Sequence, residues 1–410
     1  MKASGIRINT RKTRIMGFGD WSDRTQWPID NLTTEQSEIN ILGITYCRQI
    51  NLAINITWDR IVTNIRIVTK LLSGRNFTLY QRAVLINSLI LSKVWYVAHT
   101  YPLLKKHSNF INKEIFEYLW QSKLNPIKRE VVYQDKTKGG LGVLNVFIKS
   151  QCIIASTFLK QFLASQENDS FLKYFCAIRI NPIFNIRELP ENVCYISPWY
   201  FNEIIVNIRK CLHMKHFPCI KAADMYKFLL PDSKPAVQDK HSLNWEKIWP
   251  RTTFKYVNLH ERDVLFKYLH GILPTKLRLF QMKQINCQMC PNCNISEDNN
   301  HMFLKSKKVK QISDYFRITL SNVCTTEHVN LESMLYLELK LKTKRQLNTA
   351  IILIVHYIST IWYNRGRNVE VDPTLFKERV LSHHRILSLI LKDKLKHVFT
   401  EKYCNINSLI

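Results

Sequence analysis

From Trp58 the apolar residues Trp58, Ile61, Val62, Ile65, Val68 and Leu72 recur at i, i+3, i+4 and i+7, and this helical period governs most of the chain that follows. Before it, residues 1–57 carry short β-branched runs (IRIN, RIMGF, INILGITY) broken by Gly, Asn and Asp. The change of period predicts a small β-containing start and then helices. The first helix runs from Trp58 to a C-cap at Gly74. A second starts from the Thr78/Gln81 capping-box pair and reaches about His99, forming a helical hairpin with the first. A third spans Phe110 to Gln121, and Pro126 stops any continuation.

Further on, KREVVYQDKTKGGLGVLNV predicts an extended run, a tight turn at Gly139, Gly140 and Gly142, and a helix from Leu144 to Leu163. No Gly-Lys-Ser/Thr follows these glycines, so they do not form a phosphate loop. Prolines at 182, 190, 198, 218, 231 and 235 punctuate residues 181–240, and PDSKPAVQDK reads as a linker. WEKIW, LFKYLHGILPTKLRLF and helical patterns fill the rest.

With 410 residues and 46% hydrophobic composition the chain has material for two or three cores, which excludes a disordered protein. Fifty-nine Lys and Arg against 32 Asp and Glu leave a net charge of +27. Charge of that size repels itself unless a polyanion covers it, so nucleic acid is the expected partner. The eleven cysteines mostly stand alone, without the pairing of a disulfide framework, which predicts reduced thiols inside a cell, in nucleus or cytoplasm. The first residues lack the apolar segment of a secretory signal. The apolar runs 84–98 and 350–363 are shorter than a membrane span and read as buried helices.

The densest chemistry lies in CQMCPNCNISEDNNH. Cys287, Cys290 and Cys293 stand at successive C-x2-C spacings and His301 follows, so three thiolates and an imidazole could surround a tetrahedral Zn²⁺. His241, His260, His270 and His356 have no ligand or triad partner by spacing and read as structural. The basic stretches KSKKVK (305–310) and ELKLKTKR (338–345) fit either solvated charge or an RNA contact.

Several of these blocks, in order, resemble the C-terminal part of non-LTR (LINE-type) retrotransposon reverse transcriptases. Ser4, Gly5, Asn9, Lys12 and Thr13 are similar to the segment after the catalytic Asp-Asp turn, and Leu42, Gly43 and Ile44 to the primer-grip hairpin. SGRNFTLYQRAVLINSLILSKVWYVA resembles the thumb pattern, and INKEIFEYLWQSK and KGGLGVLNV the next blocks. WEKIW, LHGILPTKLRLF and the Cys/His run resemble the zinc-binding segment that closes many such proteins. That family's metal pattern maps onto Cys290, Cys293 and His301, with Ser306 standing where its last Cys should be. Either Cys287 has taken over the fourth position or the site has decayed.

The resemblance implies a mainly α chain with a small α+β palm remnant at its N-terminus, a helical thumb, and a helical C-terminal domain with a zinc-knuckle-like loop. Its expected divisions are 1–57 (palm remnant), 58–165 (thumb and extension), 166–240 (connecting region), 241–312 (zinc-binding-like) and 313–410 (C-terminal helices). Template RNA and primer DNA would be the partners, with no membrane. Arg11, Lys12, Lys70, Arg75, Arg82 and Lys93 would contact phosphates, although a solvated polar face opposite a core stripe gives the same pattern. In the family Lys12 sits near the incoming nucleotide. Zn²⁺ would occupy the knuckle, and Mg²⁺ would serve only a full-length enzyme. The palm's metal-binding aspartates are not found, and Tyr133-Gln134-Asp135-Lys136 lies downstream of the primer-grip-like block with a single carboxylate. The expectation is therefore an inactive fragment from a truncated element copy. A non-enzymatic host nucleic-acid-binding protein fits the same facts, and a helical scaffold for an acidic protein is a third reading.

Overall fold

The first helix starts earlier than its apolar stripe predicts: it runs from Ile50 to Ser73, with Ala53, Ile54, Trp58, Ile61, Val62 and Ile65 buried. The eight residues before Trp58 join it because Ala53, Ile54 and Thr57 continue the inner face. Gly74 does cap the helix, but with φ −73° rather than in the left-handed region. The protein is described by a computed structural model covering residues 13–165 and 221–390, apart from residues 25, 28–32, 36, 255, 325–329 and 367–369; residues 9, 204, 206 and 207 are described as well. Arg11 and Lys12, Ser4 and Gly5, most of the connecting region and residues 391–410 lie outside the described residues.

The fold is mainly helical with few, short strands. The chain divides into two units. Residues 1–76, 84–123 and 144–231 make the first, and residues 77–83, 124–143 and 232–410 the second.

In the first unit, strand Arg14–Ile15 pairs in parallel with Thr33–Thr34, and Glu38–Ile41 forms an antiparallel hairpin with Ile44–Cys47. Leu42 and Gly43 make its two-residue turn at φ 51° and 85°, a conformation that glycine adopts without strain. Leu42 is therefore exposed at the tip, while Ile44 is buried. The hairpin packs on helix Ile50–Ser73, where the Thr45 N–H donates to Thr57 Oγ1 (3.1 Å) and the Tyr101 hydroxyl to the Thr45 carbonyl (3.0 Å). Helix Lys105–Trp120 lies against the same helix. Trp58, fully buried, donates from Nε1 to the carbonyl of Pro102, three residues before Lys105, at 2.8 Å. Helices Ser92–Ala98, Val146–Ser165 and Ala222–Leu229 also belong to this unit.

The expected second helix exists in pieces: Leu79–Leu85, a π-helical turn Ile86–Ile90, then Ser92–Ala98. Its capping box forms as expected, with Thr78 N–H donating to Gln81 Oε1 (2.9 Å) and Gln81 N–H to Thr78 Oγ1 (3.2 Å). The division between units falls inside this helix, after Ala83.

In the second unit the extended run expected at KREVVY is instead a short helix, Arg129–Tyr133. The β-branched valines favour strand, but Val131, Val132 and Tyr133 are all buried, and packing overrides propensity. Asp135 starts the following 3-10 turn by accepting from the N–H (2.8 Å) and hydroxyl (2.7 Å) of Thr137, which hold its carboxyl below the usual range. Its role here is a cap. LFKYLHGILPTKLRLF divides into helices Leu259–Leu269 and Lys276–Gln281.

Helix Lys344–Asn364 runs through the middle of this unit, started by a Thr343/Gln346 capping box. Ala350 to Ile361 are all buried, so the helix is covered on every side, packed by Leu259–Leu269, Lys310–Cys324 and Pro373–Ile390. That is why its apolar run is so continuous. No helix among the described residues is long and apolar enough to cross a membrane. Among the described residues of this unit, one hydrophobic cluster extends from Val237 to Val380.

Candidate metal centre

The loop between Gln288 and Ser306 is built from local hydrogen bonds. Met289 and Ser296 form an antiparallel bridge. The turn between them closes as the Cys290 N–H donates to the Ile295 carbonyl (2.8 Å) and the Asn294 N–H to the Cys290 carbonyl (2.9 Å), with Asn294 at φ 53°. Asparagine tolerates that left-handed position better than most residues. The chain then enters a π-helical turn, His301–Lys305. Asp298 Oδ1 accepts from the His301 N–H at 2.6 Å, and the Ser306 N–H donates back to the His301 carbonyl at 2.8 Å. This i to i+5 bond is the π-helical one. The core holds the turn in place, because Phe303 is fully buried and its carbonyl accepts from the Tyr357 hydroxyl at 2.6 Å.

These constraints bring Cys290, Cys293 and His301 together, with their ligand atoms within 4.8 Å of one another. Donors around a tetrahedral zinc stand about 3.8 Å apart, so a small inward movement suffices. The imidazole of His301 is 3% exposed, yet neither of its nitrogens has a hydrogen-bond partner. A buried polar atom without a partner costs on the order of 1–3 kcal/mol. Two thiols beside an orphaned imidazole are a donor set that suits a zinc-like ion and could hold a metal. Burial pushes the Cys293 thiol up, but the Lys307 N–H (3.3 Å to Sγ), the Ser306 hydroxyl and the Cys290 thiol outweigh it and hold it below the ordinary value. A depressed thiol pKa favours the thiolate that binds metal.

Ser306 Oγ lies 4.0 Å from Cys293 Sγ and is buried. Cys287 is exposed, accepts only a 3.4 Å contact from the Met289 N–H among the bonds at its sulfur, and is not one of the converging ligands. Cys287 thus stands outside the group of ligand atoms that the fold gathers. The spacing of CQMCPNC could not reveal this, because the turn that gathers Cys290 and Cys293 begins after Cys287. Sequence reading also missed the cavity of about 310 Å³ beside the cluster, lined by Cys290, Ser306, Lys276, Lys308, Arg365 and Glu297 among others. Those residues are scattered over ninety positions and share no motif.

The cations expected to contact phosphates are distributed unevenly. Lys70 and Arg75 are exposed in the first unit, and Lys93 is half-buried there. Arg66 is engaged by Glu114 at 2.9 Å, and Arg60 donates to Thr45 Oγ1 at 3.3 Å. Arg82 belongs to the second unit, where its charge acts on the buried Asp263. Three of the histidines read as structural make internal bonds: His241 to the Tyr336 hydroxyl (3.2 Å), His270 to the Gly139 carbonyl (2.9 Å), and His356 to Glu261 (3.1 Å) and His383 (2.8 Å). Burial raises Glu261, but the bond from His356 and the charges of His356 and Arg379 outweigh it and keep its carboxyl below the usual range.

Comparison with known proteins finds no protein-family model that matches this chain and no match among curated proteins.

Proposed function

We propose that this chain is the nucleic-acid-holding C-terminal portion of a non-LTR reverse transcriptase, that it binds template RNA and primer DNA, and that it carries one Zn²⁺. The observation that supports this best is the agreement between pattern and geometry in the knuckle. The resemblance assigns ligand positions to residues 290, 293, 301 and 306. The loop gathers Cys290, Cys293 and His301, and seats Ser306 against Cys293. The π-helical turn gives the His-x4 spacing a physical reason, since residues five apart meet across it. A net charge of +27 supports the partner class.

Phosphoryl transfer needs carboxylates that clamp two divalent ions, and the chain holds no such pair at the expected place. The exposed Lys70 and Arg75 are the phosphate contacts we favour. The test is binding of an RNA–DNA hybrid and duplex DNA over a salt series, together with metal analysis of the protein. Affinity should fall with salt at a slope of roughly −0.9 per phosphate contact on duplex DNA, and Lys70→Ala with Arg75→Ala should flatten it by up to about 2. Primer extension with Mg²⁺ or Mn²⁺ should yield no product. Salt-insensitive or absent binding would overturn the proposal.

A further inference from the structure

We infer that the metal site is open: its fourth coordination position takes a small exchangeable ligand, water or a monodentate anion, admitted from the adjoining cavity. This rests on reading the Cys290, Cys293 and His301 group as a metal site. The protein supplies three converging donors there. Cys287 is exposed and held at Met289, outside the group. Beside the group stands Ser306, its Oγ 4.0 Å from Cys293 Sγ, and a neutral hydroxyl is a poor substitute for the thiolate, imidazole or carboxylate that zinc prefers.

A cavity adjoins the group on the side of Cys290 and Ser306. Cys290 and Ser306 both line the 310 Å³ cavity, which has room for several waters. Its wall carries Lys276, Lys308 and Arg365 against one carboxylate, Glu297, and that carboxylate already accepts from the Lys276 backbone N–H at 3.2 Å. Cations around the mouth raise the local concentration of anions. Two thiolates, one imidazole and an exchangeable oxygen are also a donor set that leaves zinc able to bind an outside ligand, whereas four protein ligands close it. The replacement of one side chain at position 306 thus separates a closed structural site from an accessible one.

Loading the full chain with Co²⁺ and recording its absorption spectrum tests this. The open site should show thiolate-to-cobalt intensity from two sulfurs, and azide or thiocyanate should shift the visible bands saturably. Ser306→Cys should raise the charge-transfer intensity about 1.5-fold, in proportion to three sulfurs rather than two, and should abolish the anion response. Cys287→Ala should change neither. Stoichiometric Co²⁺ whose spectrum ignores both anions overturns the open site alone. Loss of a third of the sulfur intensity in Cys287→Ala does so as well, by making Cys287 the fourth ligand. Failure to bind Co²⁺ at all overturns this inference together with the zinc reading.

Discussion

The carboxylate of Asp263 accepts a hydrogen bond from the backbone N–H of Leu79 at 2.5 Å, across 184 residues of sequence. The Tyr80 N–H points to its other oxygen at 3.4 Å. Asp263 therefore serves the first turn of helix Leu79–Leu85, whose free N–H groups favour an anion. Replacing Asp263 by Ala should destabilise the protein by about 1–2 kcal/mol, and Asn should recover part of that loss because its carbonyl can still accept. Urea midpoints for the two variants check this. Equal stability of Ala and wild type would remove the cap.

Two glycines should respond to alanine in opposite directions. A Cβ at Gly140 would stand 1.9 Å from the Gln134 carbonyl oxygen, a backbone atom that cannot turn away. Gly74 has open space and an ordinary φ of −73°. Gly140→Ala should cost more than about 2 kcal/mol, while Gly74→Ala should be neutral or gain about 0.4–1 kcal/mol through the unfolded chain. Thermal melts of both variants give the comparison.

Acid should weaken the second unit in a defined window. Burial pushes both His270 and His383 down to about 4, from an ordinary 6.5. Between those values the unfolded chain binds protons that the native one refuses, so stability is present above 6.5 and is lost as pH falls towards 4. His270 stacks on Trp249 at 5.0 Å and bonds to the Gly139 carbonyl, which Gln could also do. His270→Gln should flatten the loss between pH 7 and 5 by about 1–2 kcal/mol, a figure reduced for partial solvent exposure. Denaturant midpoints at the two pH values measure it, and parallel curves for variant and wild type would refute it.

His301 should show a sign reversal with metal. Its two unpartnered nitrogens make it a burden in the metal-free protein, so His301→Leu should leave that form at least as stable. With zinc present the wild type should gain stability and the variant should not. Melting curves with zinc and with chelator decide the matter, and equal zinc responses would exclude His301 as a ligand.

What could be read before folding was whatever depends on near neighbours. The stripe from Trp58 to Leu72, the Thr78/Gln81 box and the closeness of Cys290 to Cys293 each arise within one turn or two. REVVY misled because its helix is set by burial and not by valine's own preference. That Cys290 and Cys293 converge without Cys287 was not legible, because equal spacing does not ensure that a turn gathers every cysteine. The bond from Leu79 to Asp263, the cavity beside Ser306 and the His356–Glu261 contact join residues far apart in the sequence, and no periodicity encodes them.

Neither unit is an unbroken length of chain. Residues 77–83 and 124–143 belong with residues 232–410, although the stretches around them do not. A cut at residue 231 would give two pieces, each with part of its interior missing or left over. The first would carry residues 124–143, with the buried Val131, Val132 and Tyr133, apart from residues 232–410 with which they cluster. Such halves should aggregate when expressed singly and recover when co-expressed, so the smallest independently usable piece of this molecule is not defined by any pair of end points.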